Sequence, residues 1–69
     1  MKQGLTEIEK RALTEYSQGL TYKQIGRVIH RNHETVKSIL RKINHKLDVR
    51  NNRSALSKAI VMNIIKPKF

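Results

Sequence analysis

An all-α fold of four helices follows from three observations. Apolar residues recur at helical spacing in four separate segments. Each segment opens near residues suited to start a helix, and no stretch alternates as a strand would. The chain has 69 residues, which fits one domain near the lower size limit for independent folding. The expected core spans residues 5–65, with a short tail at 66–69. So small a domain buries only about 60% of its unfolded surface, which leaves room for stabilisation by a partner. At 38% apolar it still has enough material for a core.

The helices are expected at about 6–18, 21–29, 33–47 and 53–65. In the first, Thr6 and Glu9 form a capping-box signature, and Glu7 and Glu9 suit the positive end of the helix dipole. Its inward face is Ala12, Leu13 and Tyr16, with Leu5 packing from before the cap, and Gly19 is the stop signal. Thr21 and Gln24 repeat the capping box, and Ile25, Val28 and Ile29 make one apolar stripe. The polar run His30-Arg31-Asn32-His33 follows, with Asn32 the expected cap of the third helix. Along that helix Val36, Ile39, Leu40, Ile43 and Leu47 share one face. Glu34, Lys37, Ser38, Arg41 and His45 lie opposite. One side is suited to a core and the other to something outside, the arrangement by which a helix-turn-helix presents its recognition helix to a major groove.

A polar stretch from Asp48 to Ser54 separates this unit from the fourth helix. Asn52 or Ser54 is the expected cap, and Pro67 the expected terminator. Leu56, Ala59, Ile60 and Ile64 form a stripe that Val61 and Ile65 widen. This face is broader than one small core needs, which points to a second protomer.

The placement of charge narrows the function. The net charge is +10. Leu5 to Leu20 has two basic and three acidic residues, whereas Thr21 to Arg53 has nine basic and two acidic. An ordinary soluble surface intersperses the signs. Positive charge concentrated on the presumed recognition unit is the footprint expected for a polyanion. There is no cysteine, so disulfides and thiolate chemistry are excluded, which fits a reducing compartment. The start, Met1 to Gly4, has no apolar leader segment, and no apolar run approaches the ~20 residues that cross a membrane. A cytoplasmic, nucleoid-associated protein is therefore expected. Met1 and the compact motif favour a whole protein over a piece of one.

Leu5-Thr6-x-x-Glu9, Gly19-Leu20-Thr21-x-Lys23-x-Ile25, Thr35-Val36-Lys37, Lys46-Leu47-x-Val49-Arg50-Asn51 and Ala55 occur in that order. Together they resemble the LuxR/GerE-type helix-turn-helix over about Leu5 to Ile60. The resemblance implies a DNA-binding regulator of transcription whose third helix enters the major groove and whose fourth helix forms a homodimer. It places the base-reading positions at Lys37, Ser38 and Arg41. The chemistry agrees, since Arg41 can pair bidentately with guanine O6 and N7 and Lys37 can do so less rigidly. Glu34 has two readings: an acceptor for cytosine N4, or a carboxylate serving the helix dipole and pairing with Lys37 or Ser38. Expected phosphate contacts are Thr21, Tyr22, Lys23, Arg31, Asn32, Thr35, Lys42 and Lys46. Thr35 has the alternative of bonding its own helix, and Lys46 that of being merely solvated. The expected dimer face is Leu56, Ala59, Ile60, Asn63 and Ile64.

Some positions depart from the family pattern. His30 stands where glycine is frequent, and Arg31 where a buried aliphatic residue is usual, so Arg31 is expected to turn outward. Asn32 replaces a Ser or Thr cap. Ile39 and Ile8 occupy positions often taken by histidine and arginine. Arg53 stands at the usual hydroxyl cap of the last helix, which favours Asn52 as the cap.

An enzyme is not indicated. His30, His33 and His45 without cysteine give no recognised metal spacing, and Gly4, Gly19 and Gly26 are isolated rather than forming a phosphate loop. No cofactor or metal is expected. The alternative is a protein-interaction module that binds or inhibits a larger regulator or RNA polymerase. In its favour, Gly19 to Lys23 and Thr35 to Ser38 are also similar to the promoter-reading helix-turn-helix of sigma factors, whereas Leu47 to Ala55 fits the LuxR/GerE type better. A basic membrane-surface peptide is disfavoured, because the charge and the widest apolar face sit on different helices.

Overall fold

A computed structural model describes residues 4–66. They form α1 (Glu7–Ser17), α2 (Tyr22–Ile29), α3 (His33–Lys46) and α4 (Asn52–Val61), and the described residues include no strand. Three helix starts follow directly from local chemistry. The Thr6 hydroxyl accepts from the Glu9 amide, and the Glu9 carboxylate accepts from the Thr6 amide. Thr21 and Gln24 do the same for α2. Asn32 Oδ1 accepts from the Thr35 amide at 2.9 Å and caps α3. Each cap satisfies amides that would otherwise lack an intrahelical partner and stabilises its helix by about 1 kcal/mol.

The core is built around α3, which packs against all three other helices. Val36, Leu40 and Ile43, with Leu47 just beyond the helix end, are fully buried together with Leu13 of α1 and Ile25 of α2. Each such side chain contributes about 1.5–3 kcal/mol by leaving water. Because this stripe occupies one side of α3, the other side is left to solvent.

The fourth helix departs from expectation at both ends. Its cap is Asn51, which accepts from the Ser54 amide at 2.8 Å, rather than Asn52 or Ser54. It ends at Val61, not near residue 65. Asn63 adopts a left-handed conformation, φ 60°, and its amide donates to the Ile60 carbonyl while the Ile64 amide donates to that of Ala59. This closing motif satisfies the last carbonyls and turns the chain away. Asparagine tolerates positive φ better than most residues, so the stop comes ahead of proline. Pro67, the expected terminator, lies outside the described residues, as does most of the 66–69 tail.

The apolar surplus is smaller than expected as a result. Ala59 is 0% exposed and belongs to the protomer's own core, and Ile65 folds back into that core from beyond the helix. A fully buried methyl has no surface to offer a partner, so Ala59 does not belong to the expected dimer face. Leu56, Ile60 and Ile64 are half-buried, whereas Asn63, Met62 and, at 82%, Val61 are exposed.

Candidate nucleic-acid interface

The solvent side of α3 is built by the same periodicity that fills the core. Glu34, Lys37, Ser38, Arg41, Lys42 and His45 are all exposed. At about 1.5 Å rise per residue they lie along one face of a 14-residue helix some 21 Å long. Among the described residues Lys37, Arg41 and Lys42 make no ion pair or side-chain hydrogen bond, so their donors are free for an external acceptor. Thr35, half-buried beside them, shows no bond from its hydroxyl to its own helix.

Glu34 sits in the first turn of α3 as expected, but its side-chain neighbour is a different one. Its carboxylate lies 3.3 Å from His33 Nε2, not against Lys37 or Ser38, and both side chains are exposed. The pair sits in the first turn of α3, where a carboxylate also meets the positive end of the helix dipole.

The turn between α2 and α3 depends on two backbone features. His30 takes a left-handed conformation, φ 60°, which explains why glycine suits this position. The Arg31 amide then donates to the Gly26 carbonyl at 2.9 Å and folds the turn back over α2. A Cβ placed on Gly26 would collide with the Arg31 carbonyl oxygen, so this glycine permits a close approach of backbone to helix. In the sequence Gly26 is an isolated glycine; its partner is a backbone atom brought in by the turn, which no motif marks. Arg31 turns outward as expected, and its guanidinium donates to the carbonyls of His30 at 3.1 Å and Ile29 at 3.4 Å.

Tyr22 and Lys46, both expected at phosphates, have intramolecular partners. Asn52 Nδ2 donates to the Tyr22 hydroxyl at 2.9 Å and Asn44 Nδ2 donates to Asn52 Oδ1 at 3.1 Å, so one chain of bonds ties α2, α4 and α3. The Tyr22 hydroxyl thereby accepts from Asn52 and keeps its own proton to donate. Lys46 is the larger departure. Its ammonium donates to Glu9 Oε1 at 2.8 Å and reaches the Gly4 carbonyl at 3.5 Å, with the Lys46 side chain 32% and the Glu9 side chain 6% exposed. Burial pushes the Glu9 carboxyl up, but the Lys46 hydrogen bond and the Thr6 amide outweigh it and hold it below its ordinary 4.5. A buried carboxylate held as an anion needs that cation, so Lys46 ties α1 to α3 instead of standing free for DNA. The sequence carried a signal of this: Glu9 interrupts the inward stripe of Leu5, Ala12, Leu13 and Tyr16, and a charge on a core face requires a partner.

Thr21, Lys23 and Asn32 are exposed at the start of α2 and the start of α3. The described residues contain no group of His, Asp and Glu arranged to hold a metal, and no helix is long and apolar enough to cross a membrane.

The family model for bacterial regulatory proteins of the luxR family, GerE, matches residues 3–59. No curated protein and no solved structure matches the chain. The match spans all of α1 to α3 and most of α4, the elements that build the exposed face of α3. The chain belongs to the luxR family of bacterial regulatory proteins, and is a DNA-binding regulator of transcription with a helix-turn-helix fold.

Proposed function

We propose that this protein binds double-stranded DNA sequence-specifically with α3 in the major groove, and that it does so as a homodimer paired through α4. The observation that carries the first part is the row of donors on α3, opposite its buried stripe, that have no partner among the described residues. Lys37, Ser38 and Arg41 read base edges, with Arg41 matched to guanine. Glu34, already next to His33, accepts from cytosine N4 at the start of the same face. Thr21, Tyr22, Lys23, Arg31, Asn32, Thr35 and Lys42 hold the phosphates and set the register. Lys46 is left out of this set because Glu9 occupies it.

The half-buried Leu56, Ile60 and Ile64, with Asn63 beside them, support pairing through α4. Two copies related by a two-fold axis would seat their α3 helices about one DNA turn apart, ~34 Å. Ile60→Glu tests this part: the dimer is lost in sedimentation while the helical spectrum remains, and an unaltered monomer–dimer equilibrium would remove α4 as the interface.

The test of sequence-specific binding is fluorescence anisotropy against the DNA upstream of the protein's own gene and against a scrambled duplex, across a salt series. Preferential binding to the former at physiological salt is the expected outcome. Equal, salt-sensitive binding to both would count against a site in that DNA. It would favour the second reading, a module that grips a larger regulator or RNA polymerase.

A further inference from the structure

Tyr22 opens α2, and its hydroxyl is one end of a bonded chain that starts on α3 and crosses α4. Asn44 Nδ2 donates to Asn52 Oδ1 at 3.1 Å, and Asn52 Nδ2 donates to the Tyr22 hydroxyl at 2.9 Å. We propose that Asn52 is a positioning residue for DNA binding: it fixes the Tyr22 hydroxyl as the acceptor of this bond, so that the phenolic proton is kept for an oxygen of the DNA. The inference rests on the reading of Tyr22 as a DNA contact, and it gives a role to a residue that touches no DNA itself.

Each step is set by donor and acceptor chemistry. An amide nitrogen can only donate and an amide oxygen can only accept. Because Asn44 presents its nitrogen, Asn52 turns its oxygen toward α3 and its own nitrogen toward α2. A phenol has one donor and two lone pairs, and the bond from Asn52 uses a lone pair alone. No described residue accepts the Tyr22 proton. Both partners also stand on fixed helix starts. Thr21 and Gln24 box the start of α2, and Asn51 caps α4 one residue before Asn52. Thr21 and Lys23, on either side of Tyr22, are exposed. A freely turning hydroxyl loses part of its bond to DNA in becoming ordered, and the bond from Asn52 orders it beforehand. An uncharged donor held in this way adds affinity without releasing a counterion, which sets it apart from a lysine or arginine contact.

The experiment is a double-mutant cycle of Tyr22→Phe and Asn52→Asp, read as affinity for cognate and scrambled duplexes across a salt series. A carboxylate at position 52 still accepts from Asn44 and takes the Tyr22 proton on its other oxygen. A negative charge in the first turn of α4 also suits the helix dipole, so the melting temperature should stay near that of the wild type. The fold is kept while the direction of the hydroxyl is reversed. Tyr22→Phe is expected to weaken binding about three- to tenfold on both duplexes, the worth of one neutral hydrogen bond, with the salt slope unchanged. The charge introduced by Asn52→Asp weakens binding in either background. Its total effect should therefore be smaller, by about the same three- to tenfold, where residue 22 is already phenylalanine. If Asn52→Asp fails to fold, Asn44→Asp reaches the same reversal from the other end, because the new carboxylate draws the Asn52 nitrogen and turns its oxygen to Tyr22. Equal losses in the two backgrounds overturn the proposal and leave Asn52 a structural tie between helices. If Tyr22→Phe leaves affinity unchanged on both duplexes, the reading of Tyr22 as a DNA contact fails and the proposal with it, while Arg41→Ala still tests DNA binding by α3.

Discussion

The two ends of α3 carry similar side chains and put them to opposite uses. Short of the last turn, Lys37, Arg41 and Lys42 stand exposed with no partner among the described residues. In the last turn Lys46 is held by Glu9, and just beyond it the Leu47 carbonyl accepts from Lys58 Nζ at 2.7 Å. Asn44, on the same final stretch, donates to Asn52 of α4. One end is left open to a polyanion while the other is fastened to α1 and α4. A lysine's role here follows from whether a carboxylate or carbonyl lies within reach, and lysine count alone cannot distinguish them.

The strongest way to break this contrast is at the fastened end. Lys46→Ala leaves Glu9 buried without its cation, and an unpaired buried polar group costs about 1–3 kcal/mol. In a domain of 69 residues that is a large share of the total. The expected result in thermal denaturation at neutral pH is a clear loss of melting temperature. Binding measured well below that temperature should keep its salt slope. A flattened slope with unchanged stability would return Lys46 to the phosphate contacts.

The open end should respond in the opposite sense. Arg41→Ala is expected to cost about 1–3 kcal/mol on the cognate site and to relax one base position, with no loss of melting temperature. Equal weakening on cognate and scrambled DNA would make Arg41 a phosphate contact rather than a base reader.

A third measurement sharpens the fastened end by pH. The Glu9 carboxyl is held below its ordinary 4.5 in the folded chain, so it takes up a proton more readily when unfolded. Its contribution is present in full above that ordinary value and is lost as pH falls through the lower, folded value. Wild-type stability should therefore drop in the acid range below 4.5, and the difference between wild type and Lys46→Ala should narrow there. A constant difference across that range would mean that Lys46 acts through packing and not through the Glu9 charge.

These two ends were not equally legible. The start of α3 was readable because a cap and an apolar stripe are local: Asn32 reaches only to Thr35, and Val36 to Leu47 repeat at fixed spacing. So were the capping boxes at Thr6 and Thr21. The fastened end depends on contacts between distant residues. Glu9 and Lys46 are 37 apart, and Tyr22 and Asn52 are 30 apart, so no window along the chain contains either pair. The division of the α4 stripe between own core and free face was hidden for the same reason. Ala59 and Leu56 look alike in the periodic pattern, and only the packing of α4 against α3 sends Ala59 inward.

The smallest expected effect separates two adjacent asparagines at the start of α4, of which the sequence pointed to the second as the cap. Asn51 is the cap, through Oδ1 and the Ser54 amide, whereas Asn52 lies in the first turn and bridges Asn44 to Tyr22. Asn51→Ala should cost about 1 kcal/mol and Asn51→Ser much less, because a serine hydroxyl also caps. Asn52→Ser should not be similarly tolerated, since a short hydroxyl cannot span from Asn44 to Tyr22. That substitution also frees Asn44, whose Oδ1 is already buried without a hydrogen bond. The ordering of melting temperatures therefore decides the assignment. If Ser restores stability at position 52 but not at 51, the helix begins one residue later and the bridge to Tyr22 is not what fixes α4 against the DNA-binding unit.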